Sequence, residues 1–438
     1  MTALLQTFTN IRRQEALSTF VSALFFFFVL SALMVVRPAR EALGMQRGIE
    51  AIRWLFVATV IATLAVNPLF GWLVSRFRRM VFTSATYLFF AAGLAGFYLL
   101  LVLAPDHVGQ ISGQVFYVWF SVFNLFATML FWAVMTDRYS MEQSERLFGA
   151  ISLGGTLGAI FGPWLASQLA RPLGTPSLLL VAAGFLLLAV GAVSWLARLQ
   201  AEPVAAGGES GQAKSDQSVI GGSMWEGFLA VFRSPYLFGI GAYVLIVAVM
   251  ATILYFTRLQ MVAALGLDTD TRTAVFAQID FYTQIATFLL QGLVTGHLMK
   301  RFGIPVTMAL LPLTMLLGFV GLAMLGSLAA LIVLDAAFKA VQRGVMRPAR
   351  ETLFTTVDRA DRYKAKAFID TFVYRGGDAI GAQTEGMLGK LGMGLVGVAF
   401  FAVPLAILWM ALGLWLGYAQ LRQVSRTSAA TRPRGQDA

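Results

Sequence analysis

The chain has 438 residues, of which 58% are hydrophobic and only 13% charged, with a mean hydropathy of +0.74. A soluble domain carries roughly 25% charged residues, and a soluble surface could not hide 36 Phe and 9 Trp. The composition predicts an all-α integral membrane protein with little room for a soluble catalytic domain. Cysteine is absent, which excludes disulfides and thiolate chemistry. His107 and His297 belong to no paired ligand spacing, so neither a metal nor a cofactor is expected. The net charge of +11 is assigned to Lys and Arg that hold loops on one side of a bilayer, not to nucleic acid.

Arg12 and Arg13 precede an apolar run from Ala16 to Val36. It is too long for the core of a cleaved signal and reads as the first of twelve spans, at about 16–42. Further windows fall at about 52–75, 80–104, 112–136, 147–170 and 176–199. After a break they resume at about 236–258, 273–299, 304–325, 328–346, 363–388 and 394–420. Each approaches the ~20 residues that a spanning helix needs. The break, Ala201 to Ser223, is rich in Gly, Ser and acids and reads as a flexible linker. Met224 to Phe232 reads as a short amphipathic segment at the membrane surface. The expected organisation is a six-helix bundle over 1–200, a cytoplasmic linker over 201–235, a second six-helix bundle over 236–421 and a cytoplasmic tail over 422–438.

With the N-terminus inside, 22 of the 33 Lys and Arg fall on cytoplasmic segments and eight on the opposite side. Lys339, Arg343 and Arg375 remain inside spans. This asymmetry places both termini in the cytoplasm of an inner-membrane protein. The halves repeat weakly. Gly71-Trp-Leu-Val-Ser-Arg-Phe77 closes span 2, and Gly296-His-Leu-Met-Lys-Arg-Phe302 closes span 8. Gly154-Gly155 of span 5 recurs as Gly376-Gly377 of span 11 at nearly the same offset. The pattern resembles the parallel half-repeats of the major facilitator fold, and the turn resembles that superfamily's loop motif with its Asp replaced by Ser75 and Lys300. Arg-Pro-Ala-Arg-Glu occurs at 37–41 and again at 347–351. That separation does not fit the half-repeat, so the two copies read as similar chemistry and not as shared ancestry.

An ion inside a bilayer costs several kcal/mol unless it meets a partner or a wet cavity, so intramembrane charges mark candidate sites. Span 10 carries Asp335, Lys339, Arg343 and Arg347 at four-residue intervals, one slowly drifting stripe. Helical rise puts Lys339 about 16 Å and Arg343 about 22 Å into the membrane. Span 11 places Asp370, Tyr374, Asp378 and Glu385 along one face, with Arg375 nearby. Span 8 adds Asp280, Gln284 and Gln291, and span 1 ends in Arg37, Arg40 and Glu41. Such bases suit an anionic substrate, because Arg grips phosphate or carboxylate in a planar, bidentate way. The competing reading is mutual neutralisation, Asp335 with Lys339 and Arg375 with Asp378. The cluster from Arg347 to Lys366 is equally readable as a topology signal. Gly154, Gly158 and Gly162 read as a close-packing stripe, as do Gly377 and Gly381.

Several blocks resemble the ATP:ADP antiporter family, the nucleotide translocases of intracellular bacteria and plastids. Val36-Arg-Pro-Ala-Arg-Glu-Ala-Leu43 is similar to that family's Leu-Arg-Asp-Thr-Lys-Asp-Thr-Leu block. Phe131-Trp132 with Ser144-Glu-Arg-Leu-Phe-Gly149 resembles its Phe-Trp and Glu-Ala-Lys-Arg-Phe-Tyr stretch. Thr352-Leu-Phe354, Tyr363-Lys-Ala-Lys-Ala-Phe-Ile-Asp370 and Arg375-Gly376 resemble its Ser-Leu-Phe, Lys-Gly-Lys-Ala-Ala-Ile-Asp and Arg-x-Gly. The resemblance implies a twelve-helix exchanger that moves a nucleotide by alternating access without hydrolysing it. By resemblance, Arg37, Arg40, Glu41, Glu145, Lys366, Asp370 and Arg375 fall on the family's charged positions. Pro38 stands where the family has Asp, and Asp378 where it has Lys.

Together these readings predict a secondary transporter, not an enzyme, for a small organic anion with a nucleotide as the leading candidate, working as a monomer in the lipid bilayer. Arg37, Arg40, Lys339, Arg343 and Arg375 are the expected substrate ligands. Asp280, Asp335, Asp370 and Asp378 are the expected charge-pairing or coupling groups. A proton-coupled transporter of another metabolite is the first alternative. A non-transporting receptor or scaffold is the second.

Overall fold

The computed structural model describes residues 11–76, 79–103, 106–199, 224–293 and 295–430. The expected linker from 201 to 223 and the end of the tail, from 431, lie outside them. The described residues form helices and turns and include no strand. The first six helices are α1 (Ala16–Gly44), α2 (Ile49–Arg76), α3 (Arg79–Leu103), α4 (Asp106–Arg138), α5 (Met141–Leu173) and α6 (Ser177–Arg198). The short amphipathic α7 (Met224–Arg233) is followed by α8 (Pro235–Ala264), α9 (Thr269–Leu293) and α10 (Thr295–Leu325). Two interrupted helices follow. The first is α11 (Leu328–Val341), a π-turn at Gln342–Met346 and α12 (Arg347–Leu353). The second is α13 (Arg359–Phe368), a π-turn at Ile369–Val373 and α14 (Tyr374–Lys390), and α15 (Gly394–Ala430) closes the chain.

Among the described residues nine helices are long and apolar enough to cross a membrane. The expected spans 8, 10 and 11 are not among them. They correspond to α9, to α11 with its π-turn, and to α13–α14, the elements into which the sequence concentrates its ionisable residues.

The chain divides into two units, Met1–Ser210 with Leu265–Phe281, and Gly211–Ala264 with Tyr282–Ala438. In the first unit α1 is central. A helix apolar on all sides belongs in a core, and Val21, Phe25, Val29, Leu33 and Val36 of α1 are fully buried. Phe26 stacks on Phe131 at 3.9 Å between centroids. Helix α5 starts on a capping box: the Gln143 amide donates to Ser140 Oγ, and the Ser140 amide donates to Gln143 Oε1. Its glycines lie against the α1 backbone. A Cβ on Gly154 would fall 2.1 Å from the Ala23 carbonyl oxygen, and one on Gly158 would fall 2.4 Å from that of Phe27. The spacing therefore does what close helix packing in membranes asks of small residues.

In the second unit α8 takes the central place, with Tyr243, Val247, Met250 and Ile253 buried. The Tyr243 hydroxyl donates to the Met308 carbonyl at 2.8 Å, so its polar end is satisfied inside the core. Helix α14 lies on α8 through Gly377 and Gly381, whose added Cβ atoms would come within 2.6 Å of Ala248 Cβ and 2.7 Å of the Val249 carbonyl oxygen.

Candidate substrate site

The π-turn at Gln342–Met346 lies just before a proline. Pro348 has no N–H to give, and its ring opposes the carbonyl four residues back, at Gly344. π-bulges gather at functional sites. The turn at Ile369–Val373 has no proline or glycine to mark it. Both turns border one cavity of about 440 Å³ in the second unit. Gln342 and Met346 come from the first turn, Asp370 from the second and Tyr374 from just beyond it. Arg347, Arg350 and Glu351 of α12 complete the polar wall, and Val244 and Val247 of α8 join Met346 on the apolar one.

The charges of this cavity are not equivalent. Arg350 donates to Asp370 at 2.8 Å and to Glu351 at 3.1 Å. Glu351 also accepts from Lys366. Arg350 and Lys366 thus answer both carboxylates. Arg347, exposed on the wall, has no hydrogen bond or ion pair among the described residues.

Within each unit the sequence-derived candidates form local pairings. Asp335, 3% exposed, accepts from Lys339 at 2.6 Å and from the Thr283 hydroxyl at 3.3 Å. Arg258 stands 3.9 Å from the same carboxylate and is only 1% exposed. Arg343 donates to the neutral Gln284 at 3.0 Å. Asp378 lies 3.3 Å from Arg375 and accepts from Thr252 of α8 at 3.1 Å. In the first unit Arg37 meets Asp280 at 3.5 Å. Arg40 bonds Glu41 at 3.0 Å and lies 3.6 Å over the Tyr117 ring, a cation–π contact. Asp370 belongs with Arg350, not with Arg343 or Arg375.

Three features escaped the sequence reading. Arg258, at the expected outer end of the span over 236–258, is buried beside Asp335. Arg350 and Glu351, placed in a loop, sit on a continuing helix and face Asp370 and Lys366. Arg347, read as the last member of the span 10 stripe, lines the cavity away from Asp335 and Lys339. Pro348 and the repeated Arg-Pro-Ala-Arg-Glu were the available signals for the last two.

Helices of membrane-spanning length, with one unit holding a cavity walled by charged and apolar residues, fit a membrane transporter. The Major Facilitator Superfamily model matches residues 15–342, and the chain belongs to that superfamily. It is a multi-pass secondary active transporter and not an enzyme. Its fold is similar to that of a bacterial homologue of the human lysosomal transporter Spinster in an inward-facing, unoccupied conformation, with a TM-score of 0.58 and 14% identity over 98% of this chain and 100% of that one. It is also similar to the nucleoside transporter NupG, with a TM-score of 0.60 and 13% identity over 93% of this chain and 99% of that one. At these identities the likeness is one of fold. No curated protein matches the chain in sequence.

Proposed function

We propose that the transporter moves a small organic anion, with a nucleotide as the leading candidate, by exchange across the inner membrane. The carrying observation is the second-unit cavity, where Arg347, an amide and a phenol face an apolar wall while Arg350 is paired to the two carboxylates, Asp370 and Glu351. That combination suits a ligand with an oxyanion at one end and an apolar body at the other. The resemblance of the charged blocks to the ATP:ADP antiporters supports a nucleotide. So does the fold likeness to a protein described as a nucleoside transporter. Arg37, Arg40, Lys339, Arg343 and Arg375 serve on the path as bases that exchange a protein carboxylate for the substrate's anion, and Asp280, Asp335, Asp370 and Asp378 serve as the carboxylates that release or receive them. The transporter works as a monomer with both termini in the cytoplasm, and reporter fusions at Gly211 and after Ala429 should both score cytoplasmic. Counterflow into proteoliposomes with labelled nucleotides and organic anions tests the substrate class. Accumulation of a nucleotide is expected. Accumulation of only uncharged nucleosides or other neutral solutes would overturn the anion reading.

A second reading is favoured by one observation. Asp378 is buried and faces the Thr252 hydroxyl and the Arg375 guanidinium, which makes it the candidate coupling group. If a proton gradient drives uptake and Asp378→Asn uncouples it while counterflow persists, the protein is a proton symporter.

A further inference from the structure

We infer that Arg347 is a substrate-binding residue that grips an oxyanion group, phosphate or carboxylate, in the second-unit cavity. The inference rests on the anion-transport reading and adds the residue that reads the anion.

The argument starts from the duplicated pentapeptide. In both copies the fourth residue, an arginine, bonds the fifth, a glutamate: Arg40 to Glu41 at 3.0 Å and Arg350 to Glu351 at 3.1 Å. In both copies that second arginine also has another partner, Tyr117 in one case and Asp370 in the other. The motif therefore builds one internal pair and leaves its first arginine, one turn earlier, to reach outward. In the copy on α1 the first arginine, Arg37, meets a protein carboxylate, Asp280, at 3.5 Å. In the copy on α12 the first arginine is Arg347. It faces a cavity whose two carboxylates are already engaged by Arg350 and Lys366. The position answered by an oxyanion of the protein in one copy is open to an oxyanion from outside in the other.

The surroundings fit that ligand. Tyr374 and Gln342 line the same cavity and supply neutral donors. Val244 and Met346 offer an apolar surface for the uncharged part of the substrate. The volume of about 440 Å³ lies within the roughly 300–1,000 Å³ of small-molecule sites. A topology signal at this position needs only a positive charge, which Lys supplies as well as Arg. Bidentate recognition does not tolerate that exchange, and the two roles separate on this point.

The test uses the purified full-length chain in detergent, with ATP, pyrophosphate, succinate and adenosine as probes and affinity read by calorimetry. Wild type should bind at least one of the three anions. Arg347→Gln should weaken that binding roughly tenfold or more, and Arg347→Lys roughly fivefold, while Lys364→Gln leaves it unchanged. Preference for ATP and pyrophosphate over succinate assigns the group as phosphate, and the reverse preference assigns it as carboxylate. Anion binding to Arg347→Gln at wild-type affinity overturns the inference and leaves the transport reading standing. Failure of every anion to bind wild type, with adenosine bound, overturns both. Should Arg347→Gln not fold, Arg347→Lys keeps the charge and the side-chain stem, and an unchanged affinity there overturns the inference equally.

Discussion

In the first unit α5 lies on α1 through Gly154, Gly158 and Gly162, and in the second α14 lies on α8 through Gly377 and Gly381. Both contacts bring backbones close, and both use small residues to do it. The difference is in what surrounds the glycines. Helix α5 is one unbroken helix of 33 residues, and the aromatic rings of Phe26, Phe131 and Trp132 fill the space beside it. Helix α14 begins at a π-turn and carries Asp378 and Glu385 against Thr252 and Gln260 of α8. The same packing device thus supports an apolar core in one half and a buried polar seam in the other. Close backbone packing fixes the helices without spending side chains on the contact, which leaves the second half free to hold its charges at set positions.

The largest effect that tests this contrast lies in the second half. Asp335 holds Lys339 at 2.6 Å and stands 3.9 Å from Arg258. Asp335→Asn removes the carboxylate that both bases face, and breaking such a buried pair costs about 3–5 kcal/mol. The melting temperature in detergent should fall sharply. Adding Lys339→Gln should restore only part of it, because Arg258 is 1% exposed and still faces a neutral amide. Adding Arg258→Met as well should complete the rescue. Full rescue by the double mutant would remove Arg258 from the cluster, and recovered uptake in it would remove Lys339 from the substrate path.

A smaller effect compares the glycine contacts directly. A Cβ on Gly154 meets the Ala23 carbonyl oxygen at 2.1 Å, with the rest of that peptide behind it. A Cβ on Gly377 first meets the Ala248 methyl at 2.6 Å. Overpacking costs about 1–3 kcal/mol, and more where backbone must move. Gly154→Ala should therefore reduce folded, membrane-inserted protein more than Gly377→Ala, as measured by monodisperse yield. Gly158→Leu should be more damaging than either. The opposite ranking of the two alanine variants would show that the second half has the tighter contact.

The glycine stripes and most spans were legible because their signals are periodic against an apolar background. The stripe of Asp335 and Lys339 stood out for the same reason, since few charges interrupt spans. The π-turns were not legible. An inserted residue turns everything beyond it by about 100° around the helix, so Asp370 and Asp378, read on one face, end up with different partners: Arg350 for the first, Thr252 and Arg375 for the second. Arg258 was misplaced because α8 runs on to Ala264, which leaves the arginine inside the helix and not at its edge. Arg350 and Glu351 were lost to an expected loop where the helix resumes after its π-turn.

The smallest effect concerns the ends of the helices. Each unit ties two helical segments together with a glutamate: Glu15 before α1 accepts from Arg146 of α5 at 3.0 and 3.1 Å, and Glu351 of α12 accepts from Lys366 of α13. Hydrogen bonds from Arg146 hold the Glu15 carboxyl below its ordinary value of 4.5, against the opposing effect of burial and with further help from Gln143. A depressed carboxylate contributes stability that is fully present above its unfolded pKa and is lost as pH falls through the folded one. At pH 7 Glu15→Gln should therefore melt below wild type. Arg146 is partly exposed, at 21% of its side chain, so water screens the pair and the difference should stay within about 1 kcal/mol. As the pH drops below 4.5, wild type loses this contribution, the variant has none to lose, and the two melting curves should converge. A gap that persists unchanged into that range would mean that Glu15 acts through neutral hydrogen bonding to Gln143 and not through its charge, and the first unit's tie would then differ in kind from the ion pair of the second.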